Sequence, residues 1–254
     1  MERDYEFSSA RHANDLKSAA EIGRMAGEKA VRRLHPRKAG SQSVPIVYDP
    51  RVSGGLVGHF ASAISGAAIA RGTSFLKKSM GQRVFANGIS IVDDPHMKRG
   101  LRSKPFDGEG VKNRRTQLIE AGTLTTWLLD TATARQLGLE TTGHAARGTG
   151  GPPSPSTTNL YMEAGCLSVN DLIAYNNHGL YITEMNDMGI NNDTSDYNRL
   201  ASAFYTDNGE IVYPMRETTA AGTLRDMFMD TTPPDDPASA PGTNDPALRT
   251  QRDT

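Results

Sequence analysis

Cysteine is almost missing from this chain of 254 residues: Cys166 stands alone, so no intrachain disulfide can form. One isolated thiol suits a reducing compartment and predicts a cytoplasmic protein. An excess of either charge is missing too. Lys and Arg number 28 and Asp and Glu 29, for a formal net charge of −1. Nucleic-acid binders concentrate Lys and Arg on one face, so nucleic acid is not an expected partner. No apolar run approaches the roughly 18 residues that a membrane-crossing helix needs, so no membrane partner is expected either. The opening Met1-Glu2-Arg3-Asp4-Tyr5-Glu6 is polar and unlike a secretory signal. Aromatic residues make up only 6%, with Trp127 the single tryptophan. Even so, 37% hydrophobic and 22% charged residues describe a globular chain rather than a disordered one. Its length allows one large domain or two small ones.

What is present reads as short alternating elements. Asp15 is a candidate cap for a helix over 16–34, with Ile22, Ala26 and Ala30 as its apolar stripe. His35-Pro36 ends it, because the residue before proline avoids the helical region. A strand follows over 44–48 and stops at Asp49-Pro50. At 100° per residue, Leu56, Phe60, Ala63, Ile64 and Ala67 share one face of a helix over 56–67. Segment 68–78 reads as helix or turn, broken at Arg71-Gly72. Residues 83–85 and 89–92 are short strand signals. A hairpin joins 116–120 to 123–130 through Ala121-Gly122. Shorter signals predict a helix over 132–139, a strand over 159–163, a helix over 168–177 capped by Ser168 with Tyr175 in apolar contact, and a strand over 179–184. Asn208-Gly209 marks a second hairpin between 199–205 and 211–215. Residues 219–229 mix strand and helix signals. Residues 231–254 hold five of the 14 prolines and read as mobile or extended. The expected fold is α+β: a largely antiparallel sheet domain with a few covering helices. Residues 1–43 form a leading linker and helix, 44–230 the core, and 231–254 a tail.

Single residues give weak chemical signals. His59 lies on the margin of an amphipathic helix, where a lone histidine is most often structural. His144 and Arg147 adjoin the Gly- and Pro-rich segment 148–155, and loops on a rigid scaffold commonly bind ligands. Asp93-Asp94 and Asp107-x-Glu109 are paired carboxylates in turn sequence, where Asp caps backbone amides. Cys166 has no second ligand at metal spacing. Gly148-Thr149-Gly150-Gly151 lacks the Lys-Ser/Thr and the helix of a phosphate loop.

Longer segments say more. Pro105-Phe106-Asp107-Gly108-Glu109-Gly110-Val111, Ile119-Glu120-Ala121-Gly122-Thr123-Leu124, Asn159-Leu160-Tyr161 and Asn208-Gly209-Glu210-Ile211-Val212-Tyr213-Pro214 resemble the C-terminal half of the TldD/PmbA (TldD/TldE) metallopeptidase family, on the PmbA/TldE side. The resemblance extends over nearly the whole chain. In the TldD branch the helix equivalent to Gly54–Gly66 carries a His-Glu-x-x-x-His zinc motif, with two imidazoles for the metal and a carboxylate to activate water. Val57, Gly58 and Ser62 fall at those positions, and none can do that chemistry. The resemblance thus implies no catalytic residue, no metal ligand and no cofactor in this chain. Zinc is expected in a TldD-like partner, and the pair would act on unfolded peptide. Candidate substrate-groove residues are His59, His144, Arg147, Asn159 and Tyr161. Two further readings stay open: a non-catalytic peptide-binding or scaffold fragment, and a self-sufficient hydrolase with dispersed histidines such as His59, His144 and His178. The resemblance implies an N-terminal domain in family members, and this sequence is expected to begin after it. Residues 242–249 resemble the approach to a final strand that stops short, so an unpaired sheet edge is expected.

Overall fold

A computed structural model describes residues 1–165, 167–186, 189–232 and 248–250. Helix α1 (Ala19–Arg32) starts at Ser18, whose side chain accepts from the Glu21 amide. Asp15, expected as the cap, lies in a preceding 3-10 turn and pairs with Arg99 at 2.7 Å. His35 takes φ +59 where the chain turns away after the helix.

Strand β1 (Ile46–Tyr48) ends at Asp49, which caps α2 (Pro50–Ala63) by accepting from the Arg51 amide. Asp49-Pro50 therefore starts a helix as well as ending a strand, since proline at a first helical position loses nothing. The Gly54-Gly55 pair hides this first turn in the sequence, because interior glycines disfavour helix. Helix α2 stops earlier than expected, and α3 (Gly66–Arg71) follows after a break. At the break Leu128 donates to the Ile64 carbonyl at 3.0 Å, and Gly66 donates to the Leu128 carbonyl at 2.8 Å. A Cβ on Gly66 would stand 2.6 Å from Thr133 Oγ1 and 2.8 Å from the Leu128 carbonyl, so this junction has room only for glycine. Ala67 is consequently half-buried beyond the break, not part of the α2 stripe.

Strands β2 (Ile91–Asp93), β3 (Thr116–Glu120), β4 (Thr123–Leu124) and β7 (Leu160–Met162) form an antiparallel sheet in the order β4-β3-β2-β7. Ala121 and Gly122, at φ +46 and +87, make the expected turn between β3 and β4. The second arm is only two residues long, because the chain leaves the sheet to form the junction with Ser65. Residues 83–85, expected as a strand, supply only a bridge from Arg83 to Thr123. Helix α4 (Thr131–Leu137) starts in a capping box at Asp130 and ends at Gly138. Strands β5 (Ala145–Ala146) and β6 (Ser154–Pro155) form a small ladder.

Helix α5 (Val169–Ala174) starts at Ser168 and buries Leu172 and Ile173, while Tyr175, expected in apolar contact, is exposed. Strands β8 (His178–Asn186), β9 (Asp196–Asp207) and β10 (Glu210–Thr223) follow, and α6 (Leu224–Met229) closes the mixed segment. The second sheet runs β10-β9-β8-β1-β11, parallel only between β1 and β8. The fold is α+β with largely antiparallel sheets, as expected. Strand β11 (Leu248–Thr250) pairs antiparallel with β1, so the sequence expected to stop short of a final strand supplies one. The remaining tail, 233–247 and 251–254, and Cys166 lie outside the described residues.

Helix α2 packs between the two sheets. Leu56, Val57, Phe60, Ala63 and Ile64 join Ile91, Leu118 and Ile119 of one sheet and Tyr48, Ile182 and Ala203 of the other in one core. Phe60 sits edge-on to Phe85 and Phe228, which stack on each other with centroids 4.4 Å apart. Burying such aromatic rings contributes about 2–3 kcal/mol each. This packing fixes which side of α2 faces away from the core.

Candidate functional site

Gly58, Ala61 and Ser62 of α2, of which Gly58 and Ser62 are exposed, line a cleft of about 600 Å³. Ser65, Ala68 and Arg71 continue that wall onto α3. Pro155, Ser156, Thr157 and Leu160 form the facing wall, with Asn191, Asn192 and Asp193 also lining the cleft. Local bonds hold these walls. Phe75 donates its amide to the Asn192 carbonyl at 2.9 Å, and Asn191 Oδ1 accepts from the Asp193 amide at 3.0 Å. Ser156 Oγ accepts from Arg102 at 3.3 Å. Asp193 pairs with Lys77 at 3.7 Å.

The three positions aligned with the zinc motif divide between the two sides of α2. Val57 is in the core, Gly58 offers no side chain, and Ser62 Oγ donates to the Gly58 carbonyl at 3.0 Å. Zinc needs three or four N, S or O donors converging on one point. Among the described residues no three His, Cys, Asp or Glu side chains do so. The residues present at this cleft do not fit zinc.

None of the five residues marked in the sequence lines the cleft. His59 turns to the side and packs edge-on against Tyr197 at 6.2 Å. Its Nε2 is buried without a hydrogen-bond partner. Burial, with the Arg199 charge nearby, pushes its pKa down to about 4, so the ring is neutral at pH 7. His144 and Asn159 are buried in one clasp where β2 meets β7. His144 Nδ1 lies 2.8 Å from Thr142 Oγ1 and its Nε2 3.4 Å from Asp93 Oδ2. Asp93 also accepts from the Thr158 amide and hydroxyl at 2.6 and 2.7 Å. Asn159 donates to the Asp94 carbonyl and Ser103 Oγ and accepts from the Arg102 amide. Tyr161 is half-buried on β7, beside the Arg115 side chain. Arg147 is exposed.

The structure thus brings His144 and Asn159 together, behind the wall that includes Thr157 and Leu160, and leaves His59 and Arg147 apart. The second carboxylate pair caps amides, as turn chemistry predicts: Asp107 accepts from the amides of Glu109, Val111 and Ala145, and Glu109 from that of Thr131. Arg71 and Asn191–Asp193 were not marked in the sequence. Arg71 was legible only as the residue before a break, and Asn191-Asn192-Asp193 as turn composition.

Known proteins resemble this chain in both sequence and structure. Residues 41–251 match the family model of the PmbA/TldA metallopeptidase C-terminal domain. The metalloprotease PmbA of Escherichia coli O157:H7 is 38% identical over 228 residues, which are 90% of this chain and 49% of that protein. A PmbA homolog of Haemophilus influenzae is 37% identical, over the same 90% and 49%. The chain therefore spans about half the length of the curated relatives it matches. A crystal structure from Bacteroides thetaiotaomicron, described as a candidate modulator of DNA gyrase, superposes with a TM-score of 0.87 at 25% identity, covering 96% of this chain and 53% of that one.

Proposed function

This chain belongs to the PmbA/TldD metallopeptidase family, and we propose that within it the chain acts as a PmbA/TldE-like subunit that carries no metal of its own. Its partner is a TldD-like subunit that holds zinc, and their shared substrate is unfolded peptide. One observation carries this reading: the α2 face that opens into the cleft consists of Gly58, Ala61 and Ser62, with Val57 turned into the core. The helix that would present a metal is kept and built into both sheets, while its donors are absent.

In this role the chain contributes shape rather than chemistry. The clasp of His144, Asp93 and Asn159 holds the wall from Ser156 to Leu160 at a set distance from α2. A wall fixed by buried hydrogen bonds needs no reordering when a peptide arrives, which lowers the entropic cost of binding. The single cysteine favours a cytoplasmic setting. Among the described residues no helix is long and apolar enough to cross a membrane.

The cleft also favours a second reading, a peptide-binding scaffold that works without a zinc partner. Hydrolysis of a fluorogenic unstructured peptide separates the two. The chain alone should be inactive, and its addition to a TldD-like zinc subunit should raise the rate. No change in the mixture would leave the scaffold, and hydrolysis by the chain alone would contradict both.

A further inference from the structure

Gly58 has no structural reason to be glycine. It lies inside α2, where glycine costs about 0.5–1 kcal/mol relative to alanine. A Cβ there would meet nothing within 4 Å among the described residues, and the residue is exposed and lines the cleft. Gly66, eight residues on, is the opposite case, with backbone and side-chain atoms under 3 Å from any added Cβ. What a side chain at 58 would occupy is the cleft itself.

The facing wall offers backbone. Among the described residues strand β7 is the edge of its sheet, paired only with β2. The bonds from Asp94 to Asn159 and from Glu163 to Ser90 set the phase of this pairing. In an antiparallel ladder alternate residues bond inward, so Asn159, Tyr161 and Glu163 face β2 and Leu160 turns its N–H and C=O outward. Leu160 is the β7 residue that lines the cleft. The charges are also uneven. Asp193, the one carboxylate lining the cleft among the described residues, is paired with Lys77. Arg71 lines it as an exposed cation with no ion-pair partner among the described residues.

We propose that this cleft is itself a binding site for an extended peptide with a free carboxylate. The peptide backbone adds to the β7 edge at Leu160, lies over the small surface of Gly58, Ala61 and Ser62, and sets its carboxylate against Arg71. Backbone pairing makes such a site tolerant of side-chain sequence. Only the class of ligand rests on the peptide-handling role proposed above; the site needs neither zinc nor a partner.

Fluorescence anisotropy on the full chain tests it, with N-terminally fluorescein-labelled hexa-alanine as the free acid and as the C-terminal amide. The acid should bind about fivefold more tightly than the amide, the factor that one partly exposed ion pair can supply. Gly58→Leu should abolish binding of both without lowering the melting temperature. Arg71→Gln, a surface change, should bring the acid to the affinity of the amide. The proposal is overturned if the wild-type chain binds neither peptide, if acid and amide bind alike, or if a folded Gly58→Leu binds as the wild type does. Loss of peptide binding with hydrolysis still rising in the subunit mixture would sink the cleft alone. Intact binding with no effect on hydrolysis would sink the subunit role alone.

Discussion

At the scale of single residues, two glycines on successive helices, Gly58 in α2 and Gly66 at the start of α3, predict opposite outcomes. Gly66→Ala should cost about 2 kcal/mol or more, because its Cβ would press on the Leu128 carbonyl, which cannot move without breaking the junction. Gly58→Ala should instead stabilise by about 0.5–1 kcal/mol. Chemical denaturation of the two variants checks both signs. His59 makes a third residue-level case. Its pKa is lowered to about 4, so between pH 6.5 and 4 the unfolded chain binds a proton that the folded chain does not. Stability should therefore fall as pH drops through that window. The loss should be on the order of 1 kcal/mol, less than the whole shift because part of the ring stays screened by solvent. His59→Phe, which keeps the contact with Tyr197, should flatten the profile over that range in pH-dependent melting. Neither glycine could be read correctly from sequence, since glycine means permitted or required only once its neighbours in space are known.

At the scale of elements, Asp49 joins a strand, a helix and a neighbouring strand. It caps α2 through the Arg51 amide, pairs with the Arg51 side chain at 3.2 Å and accepts from the Tyr181 hydroxyl at 2.5 Å. Burial, with the Asp49 carboxylate beside it, pushes the Tyr181 pKa upward, so the phenol stays a donor. Asp49→Ala should cost about 2–3 kcal/mol, more than a surface cap alone, because it also strands Tyr181. Thermal unfolding measures it, and Asp49→Asn should recover part of the loss. Legibility in the sequence followed local chemistry here. The Asn208-Gly209 and Ala121-Gly122 turns, the Ser168 cap and the end of α4 at Gly138 depend on neighbours in sequence and were readable. The start of α2 was hidden by Gly54-Gly55, and the end of the β3–β4 hairpin by the demand of Leu128 at the Ser65 junction, a contact 63 positions away.

At the scale of the whole molecule, ion pairs tie the leading segment to the core. Asp4 bridges Arg33 and Arg51, each at 2.8 Å, and Arg33 reaches Glu184 at 2.7 Å. Burial alone would raise the Asp4 pKa, but hydrogen bonds from Arg51 and the Tyr5 amide and the charges of both arginines hold it below the usual value. Asp4→Asn should lower stability by about 1–3 kcal/mol near pH 7. The difference from wild type should fade as pH falls below the usual carboxylate range, where Asp4 takes up its proton. None of this network was visible in the sequence, because Asp4, Arg33, Arg51 and Glu184 come from the leading segment, the end of α1, α2 and β8 and meet only in the fold. The family and the α+β class were legible from ordered motifs. The cleft was legible only in part: Gly58 and Ser62 stood out as positions without metal donors, but not as the floor of a cavity.

The most direct test of this account is the zinc content of the purified chain, measured by mass spectrometry after incubation with excess zinc and gel filtration. With Val57 in the core, no side chain at Gly58 and a hydroxyl at Ser62, the chain should retain far less than one equivalent. One tightly held zinc per chain would contradict the reading of α2 as a helix that keeps its place in the fold without its metal.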